Sequence, residues 1–186
     1  MPDKTTAASA TPFLTDVATL RERARKHLEE GAVTSNYGAD PKVVIKVLND
    51  ALATEIVCVL RYKRHYFMAQ GLSSDSVKEE FAEHAAEEQE HADRIAERIV
   101  QLGGEPDLNP DSLTKRSHSE YKEGTSLVDM LREDLVAERV AIESYREIVE
   151  WLHGKDSTTK RMLEEILAVE EEHADDINSL LAGMKG

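Results

Sequence analysis

Two short stretches decide the fold: EEQEHADRI at residues 87–95 and VEEEHADDI at residues 169–177. Each holds a Glu-x-x-His pair, Glu88/His91 and Glu170/His173. Residues three apart on an α-helix share a face, so each pair aims a carboxylate and an imidazole in one direction. Reading outward, apolar residues continue that face at alternating spacings of three and four. Val77, Phe81, Ile95 and Leu102 flank the first pair, with His84 on the same face, and Leu163, Ile166, Ile177 and Leu180 flank the second. Both pairs therefore interrupt the stripe that an amphipathic helix turns towards a core.

Two further helices carry the same kind of interruption. Asp40-Pro41 is a strong helix start, and the chain then runs without Gly or Pro to Gly71 with Ile45, Leu48, Leu52, Glu55, Val59, Tyr62 and Tyr66 in one stripe. Ser126 to His153 gives Leu127, Leu131, Leu135, Glu138, Ile142, Tyr145, Val149 and Leu152. The helix holding Glu88 runs from the Ser-rich caps at 73–76 to Gly103-Gly104, and the one holding Glu170 runs from Ser157 to Leu181. Turns at Gly71 and Gly154 make two antiparallel hairpins. The connection from Gly103 to Thr125 reads as a crossover without regular structure, long enough to return along the bundle. The expected fold is all-α: a four-helix bundle of two antiparallel hairpins joined by a long crossover, with an extra N-terminal helix. Residues 1–12 read as a flexible tail, 13–40 as an N-terminal helix from Phe13 to Glu30 plus a linker, and 41–186 as the bundle.

Composition narrows the function. A chain of 186 residues, 40% hydrophobic and 32% charged, suits one domain with a sizeable core. Its net charge of −14 repels phosphate polymers, so nucleic acid is not an expected partner. The one cysteine, Cys58, supplies neither a disulfide nor a thiolate cluster, which fits a reducing, cytoplasmic setting. No stretch approaches the roughly 18 apolar residues of a membrane span, and no membrane partner is expected.

Burying an isolated carboxylate costs several kcal/mol, and the seam offers no Lys or Arg to offset Glu55, Glu88, Glu138 and Glu170. Each of the four lies near the middle of its helix, so an antiparallel bundle brings them to one height, with His91 and His173 beside them. Four carboxylates and two imidazoles without a thiolate suit two hard or borderline divalent cations such as iron or manganese. An internal repeat supports one centre. Glu55 precedes Glu88 by 33 residues and Glu138 precedes Glu170 by 32, and Tyr62 and Tyr145 each follow a Glu by seven.

On these residues the chain resembles the ferritin-like di-iron carboxylate superfamily, most closely bacterioferritin, over roughly residues 41–181; it is Dps-like in having too short a remainder after Glu170 for a fifth helix. The resemblance implies Glu55, Glu88, His91, Glu138, Glu170 and His173 as catalytic ligands of two iron ions per subunit, with Glu88 and Glu170 bridging. It also matches Tyr62 to a tyrosine near the site. Where bacterioferritin carries a haem-binding Met after the Glu, Gln89 stands here, so haem is not expected. The crossover is several residues longer than in that family. The implied function is a ferroxidase that oxidises Fe(II) with O₂ or H₂O₂ and stores Fe(III) in a hollow homo-oligomer of twelve or twenty-four subunits. The alternatives are a di-iron or di-manganese oxidase or peroxidase without storage, and a Dps-type DNA-protecting shell. Glu83, Glu87 and Glu90 read as a solvated acidic face first and iron contacts second, and His65 and His84 as core-edge or surface histidines.

Overall fold

The computed structural model describes residues 15–71 and 74–184. The chain divides into two compact units, one ending at Asn36 and the other starting at Tyr37. In the first, Asp16 caps helix α1 (Val17–Lys26) by accepting from Thr19 N at 3.0 Å, and a single turn of 3₁₀ helix follows at Leu28–Glu30. The expected continuous helix to Glu30 is instead broken at His27, whose N–H closes on Arg23 O. Phe13, Leu14 and the tail at 1–12 lie outside the described residues. Val17, Leu20 and Leu28 are exposed.

The second unit is an all-α bundle, and among the described residues the chain has no strand. Helix α2 (Pro41–Met68) starts where Asp40 accepts from Lys42 N and Pro41 presets the first turn. Helix α3 (Ser74–Gln101) ends at Gly103, whose φ of +81° lets its N–H and that of Gly104 bond back to Val100 O and Ile99 O. Helix α5 (Leu127–Leu152) is capped by Ser126, and α6 (Ser157–Gly183) by Asp156, which accepts from Thr158 N and Thr159 N. Helices α2 and α3 pack as one hairpin and α5 and α6 as the other, with α2 also against α5 and α3 against α6.

The crossover is not structureless. Asn109 and Pro110 start a short helix, α4 (Pro110–Arg116), which packs on α2 through Leu113 with Ala53 and Val57. Side chains of α2 hold the rest of the connection in order. Asn49 bonds Glu105 O and Asp107 N, Thr54 accepts from His118 N, His65 bonds Lys122 O and Arg64 donates to Glu123 O. The connection therefore climbs α2 from its first turns to its last, bringing the start of α5 beside the end of α2.

Apolar side chains fill the bundle on both sides of its middle. Phe81, Leu131 and Ile177 pack together at one end, and Leu48, Ile99, Leu152 and Leu163 are buried towards the other ends of their helices. Tyr66, expected in the α2 stripe, is 37% exposed, while His65 beside it is buried. Helix α2 is covered by α3, α5 and the crossover at once, so its buried face extends past the seam towards the crossover. No helix among the described residues is long and apolar enough to cross a membrane.

Candidate metal centre

The bundle brings all six sequence-predicted residues together, Glu55 from α2, Glu88 and His91 from α3, Glu138 from α5, and Glu170 and His173 from α6. None is more than 3% exposed. Their donor atoms fall into two groups, Glu55, Glu88, His91 and Glu170, and then Glu88, Glu138, Glu170 and His173, each spanning no more than 4.8 Å. Glu88 and Glu170 belong to both groups. His91 Nδ1 lies 3.0 Å from Glu170 Oε1, 3.3 Å from Glu55 Oε2 and 3.7 Å from Glu88 Oε2. His173 Nδ1 lies 3.7 Å from Glu88 Oε1 and 3.8 Å from Glu138 Oε2. A single ring nitrogen cannot satisfy that many oxygens.

Two tyrosines fix the outer carboxylates reciprocally. Tyr62 of α2 donates to Glu138 of α5, and Tyr145 of α5 donates to Glu55 of α2. Burial first, and then the charge of Glu138 on Tyr62 and of Glu55 on Tyr145, push both phenols well above the ordinary tyrosine value, so both remain donors. His173 Nε2 bonds Glu87 at 2.7 Å, which sets its ring with Nδ1 inward.

The electrostatics show what four buried carboxyls do among themselves. Burial, and then the neighbouring carboxylates, push Glu88 and Glu170 well above the usual value. Burial also acts to raise Glu138, but bonds from His173 and Glu170 and the charge of Arg61 outweigh it and hold Glu138 at about 2. His91 is opposed by burial yet raised to about 10 by its bonds to Glu55 and Glu88. The two shared carboxyls thus carry protons and the two outer ones carry charge.

Part of this neutralisation was not expected. Arg61, fully buried on α2, donates from Nε to Asp134 Oδ1 at 2.7 Å and reaches Glu138 at 3.9 Å. Asp134 also holds His65 Nδ1 at 2.8 Å. The seam therefore does have a cation, contrary to the sequence expectation. Cys58, Arg61 and His65 follow one another at spacings of three and four, and Asp134 lies one turn before Glu138; those spacings were the available signal. Cys58 itself is buried, which pushes its thiol up and leaves it protonated. His65 and His84 are both interior. Burial, then the charge of His173, lower His84 to about 4. Gln89 donates to Asp93 at 2.9 Å.

Six buried side-chain oxygens and nitrogens among the described residues have no hydrogen-bond partner, and all belong to this centre: both oxygens of Glu88 and of Glu170, Glu138 Oε2 and His173 Nδ1. Such groups are costly unless something occupies the space they face. Four carboxylates facing two divalent cations balance in charge, so the residues fit a dinuclear metal centre.

Known proteins agree with this geometry. Residues 45–186 match the sequence profile of the ferritin-like domain. The chain belongs to the ferritin family. Among its relatives, the bacterioferritin of Brucella melitensis is 32% identical over 145 residues, which span 76% of this chain and 84% of that protein. The nutrient stress-induced DNA-binding protein of a Synechococcus species is 32% identical over 138 residues, 73% of this chain and 78% of that one. Among solved structures, a dodecameric thioferritin, the bacterioferritin-related protein of Bacteroides fragilis, is 36% identical with a TM-score of 0.77, over 80% of this ferritin chain and 89% of its own.

Proposed function

We propose that this ferritin is a ferroxidase that takes two Fe(II) ions per chain as substrate, oxidises them, and stores the product in a hollow oligomer. The observation that carries the reading is the set of six orphaned buried atoms lying between two overlapping donor groups. Glu55 and His91 hold one ion, Glu138 and His173 the other, and Glu88 and Glu170 bridge them. Two Fe(II) supply two electrons; O₂ takes both with two protons and leaves as H₂O₂, or H₂O₂ takes both with two protons and leaves as two waters. The chain's own part is to hold the ligands, exclude water and balance charge. Tyr62 and Tyr145 keep one oxygen of each outer carboxylate turned away from the shared space.

The double variant Glu88→Ala/Glu170→Ala is expected to lose rapid Fe(II) oxidation, followed by absorbance after mixing with aerated buffer. An unchanged initial rate would remove the dinuclear assignment. Storage needs a closed assembly, because one bundle cannot contain an insoluble product. The thioferritin's twelve subunits and its 36% identity support twelve here. A monomer or dimer mass by light scattering at micromolar protein would leave a di-iron oxidase or peroxidase without storage. The names of the relatives divide between bacterioferritins and DNA-protecting proteins, and the −14 charge supports a shell that does not retain DNA. Retention on duplex DNA at low salt would reverse that part. Gln89 has no thioether for haem, and the proposal leaves haem out.

A further inference from the structure

We propose that Glu80, His84 and Asp176 form a third, mononuclear divalent-cation site at the edge of the dinuclear centre, through which ions reach His173. The proposal builds on the dinuclear reading of the neighbouring centre. Glu80 and His84 stand on successive turns of α3 leading to Glu88, and Asp176 stands one turn beyond His173 on α6. His84 Nε2 lies 3.3 Å from Glu80 Oε1 and 3.9 Å from Asp176 Oδ2, and the three donors lie within 4.8 Å of one another.

The tautomer of His84 points to a cation. Its side chain is 2% exposed, and Nδ1 sits 3.3 Å from Tyr62 Oη. Tyr62 has one proton and gives it to Glu138, so in this contact the phenol oxygen accepts and Nδ1–H donates. A neutral imidazole then has a bare lone pair at Nε2, aimed at two carboxylates and making no hydrogen bond. Lone pair and carboxylates repel one another, and a cation among them turns the repulsion into three bonds. One imidazole and two carboxylates are a donor set for iron, manganese or zinc, with positions left for water that keep the ion exchangeable.

The duplicated halves supply an independent observation. A shift of 82 residues carries Glu88 onto Glu170, and it carries Glu80 and His84 onto Met162 and Ile166; the reverse shift carries Asp176 onto Arg94. The equivalent position on the other side of the centre has two apolar side chains and a cation, so the triad is not a by-product of the repeat. It occurs on the side that has access. Glu80 and Asp176 are 28% and 45% exposed and line a groove of about 420 Å³ with Ser76, Val77 and Ser179. On the inner side, the His84 ring stacks on His173 with centroids 3.9 Å apart. One ring thickness separates the triad from a ligand of the dinuclear centre.

Anaerobic equilibrium dialysis against Co(II), with cobalt counted by elemental analysis, tests this. The wild-type chain should bind three ions, Glu80→Gln/Asp176→Asn two, and Glu88→Ala/Glu170→Ala one. Both residues of the first variant are partly exposed and replaced by near-isosteres, and its unchanged helical circular dichroism would certify the fold. Two ions in both the wild type and Glu80→Gln/Asp176→Asn would overturn the third site and leave the dinuclear reading standing. One ion in the wild type, retained in Glu88→Ala/Glu170→Ala and lost in Glu80→Gln/Asp176→Asn, would support the third site and overturn the dinuclear reading. Anomalous diffraction from Co(II)-soaked crystals should give a peak between His84 Nε2, Glu80 and Asp176, and density confined to the six inner ligands would refute it.

Discussion

Replacing Arg61 by Met is expected to destabilise the metal-free protein far more than its loss of apolar contact would suggest. The side chains of Arg61 and Asp134 are both 0% exposed, and their bond at 2.7 Å is accompanied by the 3.9 Å approach of Arg61 to Glu138. Met fills much the same volume, so the cost comes from leaving Asp134 with only His65 as a partner and Glu138 without its nearby cation. Breaking a buried ion pair from one side costs about 3 to 5 kcal/mol. In a chain of this size each kcal/mol moves the melting temperature by about 2 to 4 °C, giving a fall of roughly 6 to 20 °C. Asp134→Leu should cost a similar amount by stranding the arginine. The double variant Arg61→Met/Asp134→Leu removes both charges, so it should be more stable than the sum of the singles by about 2 kcal/mol or more. The assay is thermal melting of chelator-treated protein at one fixed chain concentration, read by circular dichroism. Additive single effects, or a fall below about 2 °C for Arg61→Met, would refute the assignment of Arg61 as the centre's internal counter-charge.

Occupying the centre should raise stability, because cations remove the repulsion among its carboxyls: with free Fe(II) at about 100 times its dissociation constant and no oxygen, the gain is about 2.7 kcal/mol, on the order of 5 to 10 °C. A melting point indifferent to Fe(II) would speak against a buried site. Tyr62→Phe and Tyr145→Phe should each cost about 1.5 to 3 kcal/mol in chemical denaturation of metal-free protein, and by similar amounts, since each phenol holds a carboxylate of the opposite hairpin; a large effect in one and none in the other would contradict that reciprocity. Asp156 caps α6 and holds Arg98 at 3.1 Å. Burial opposes its ionisation, but bonds from Thr159 and Tyr37 and the charge of Arg98 hold its carboxyl below the ordinary 3.8. A depressed folded value means stability present above about pH 4 and lost as pH falls through the folded value, so the penalty of Asp156→Asn should shrink in acid denaturation below pH 4. A penalty that grows there would show that sign to be wrong.

The four-helix architecture was legible because each long helix announces itself by a cap, an apolar period and a glycine stop. The six inward residues were legible because their place in that period was occupied by groups that water would otherwise claim. The Arg61–Asp134–His65 cluster was not, for a physical reason: it lies to one side of the seam, on the part of α2 that only the crossover covers. A periodicity drawn for helix-on-helix packing has no term for a loop, so His65 was set outside and Tyr66 inside. The same blind spot hid α4, although Asn109-Pro110 is an ordinary start signal. Which donors pair could not be read from spacing either, since Tyr62 with Glu138 and Tyr145 with Glu55 depend on how two hairpins dock.

The way α2 holds the crossover sets an uneven evolutionary constraint. At Glu105, Asp107, His118, Lys122 and Glu123 the atoms gripped are main-chain N–H and C=O groups, while the gripping atoms belong to the side chains of Asn49, Thr54, Arg64 and His65. Any residue other than proline offers the same peptide atoms. The crossover is therefore free to drift in sequence, and to gain residues between grips, while these α2 positions are not. A library randomised across 105–123 should keep folded members in far greater numbers than one randomised at those four helical positions.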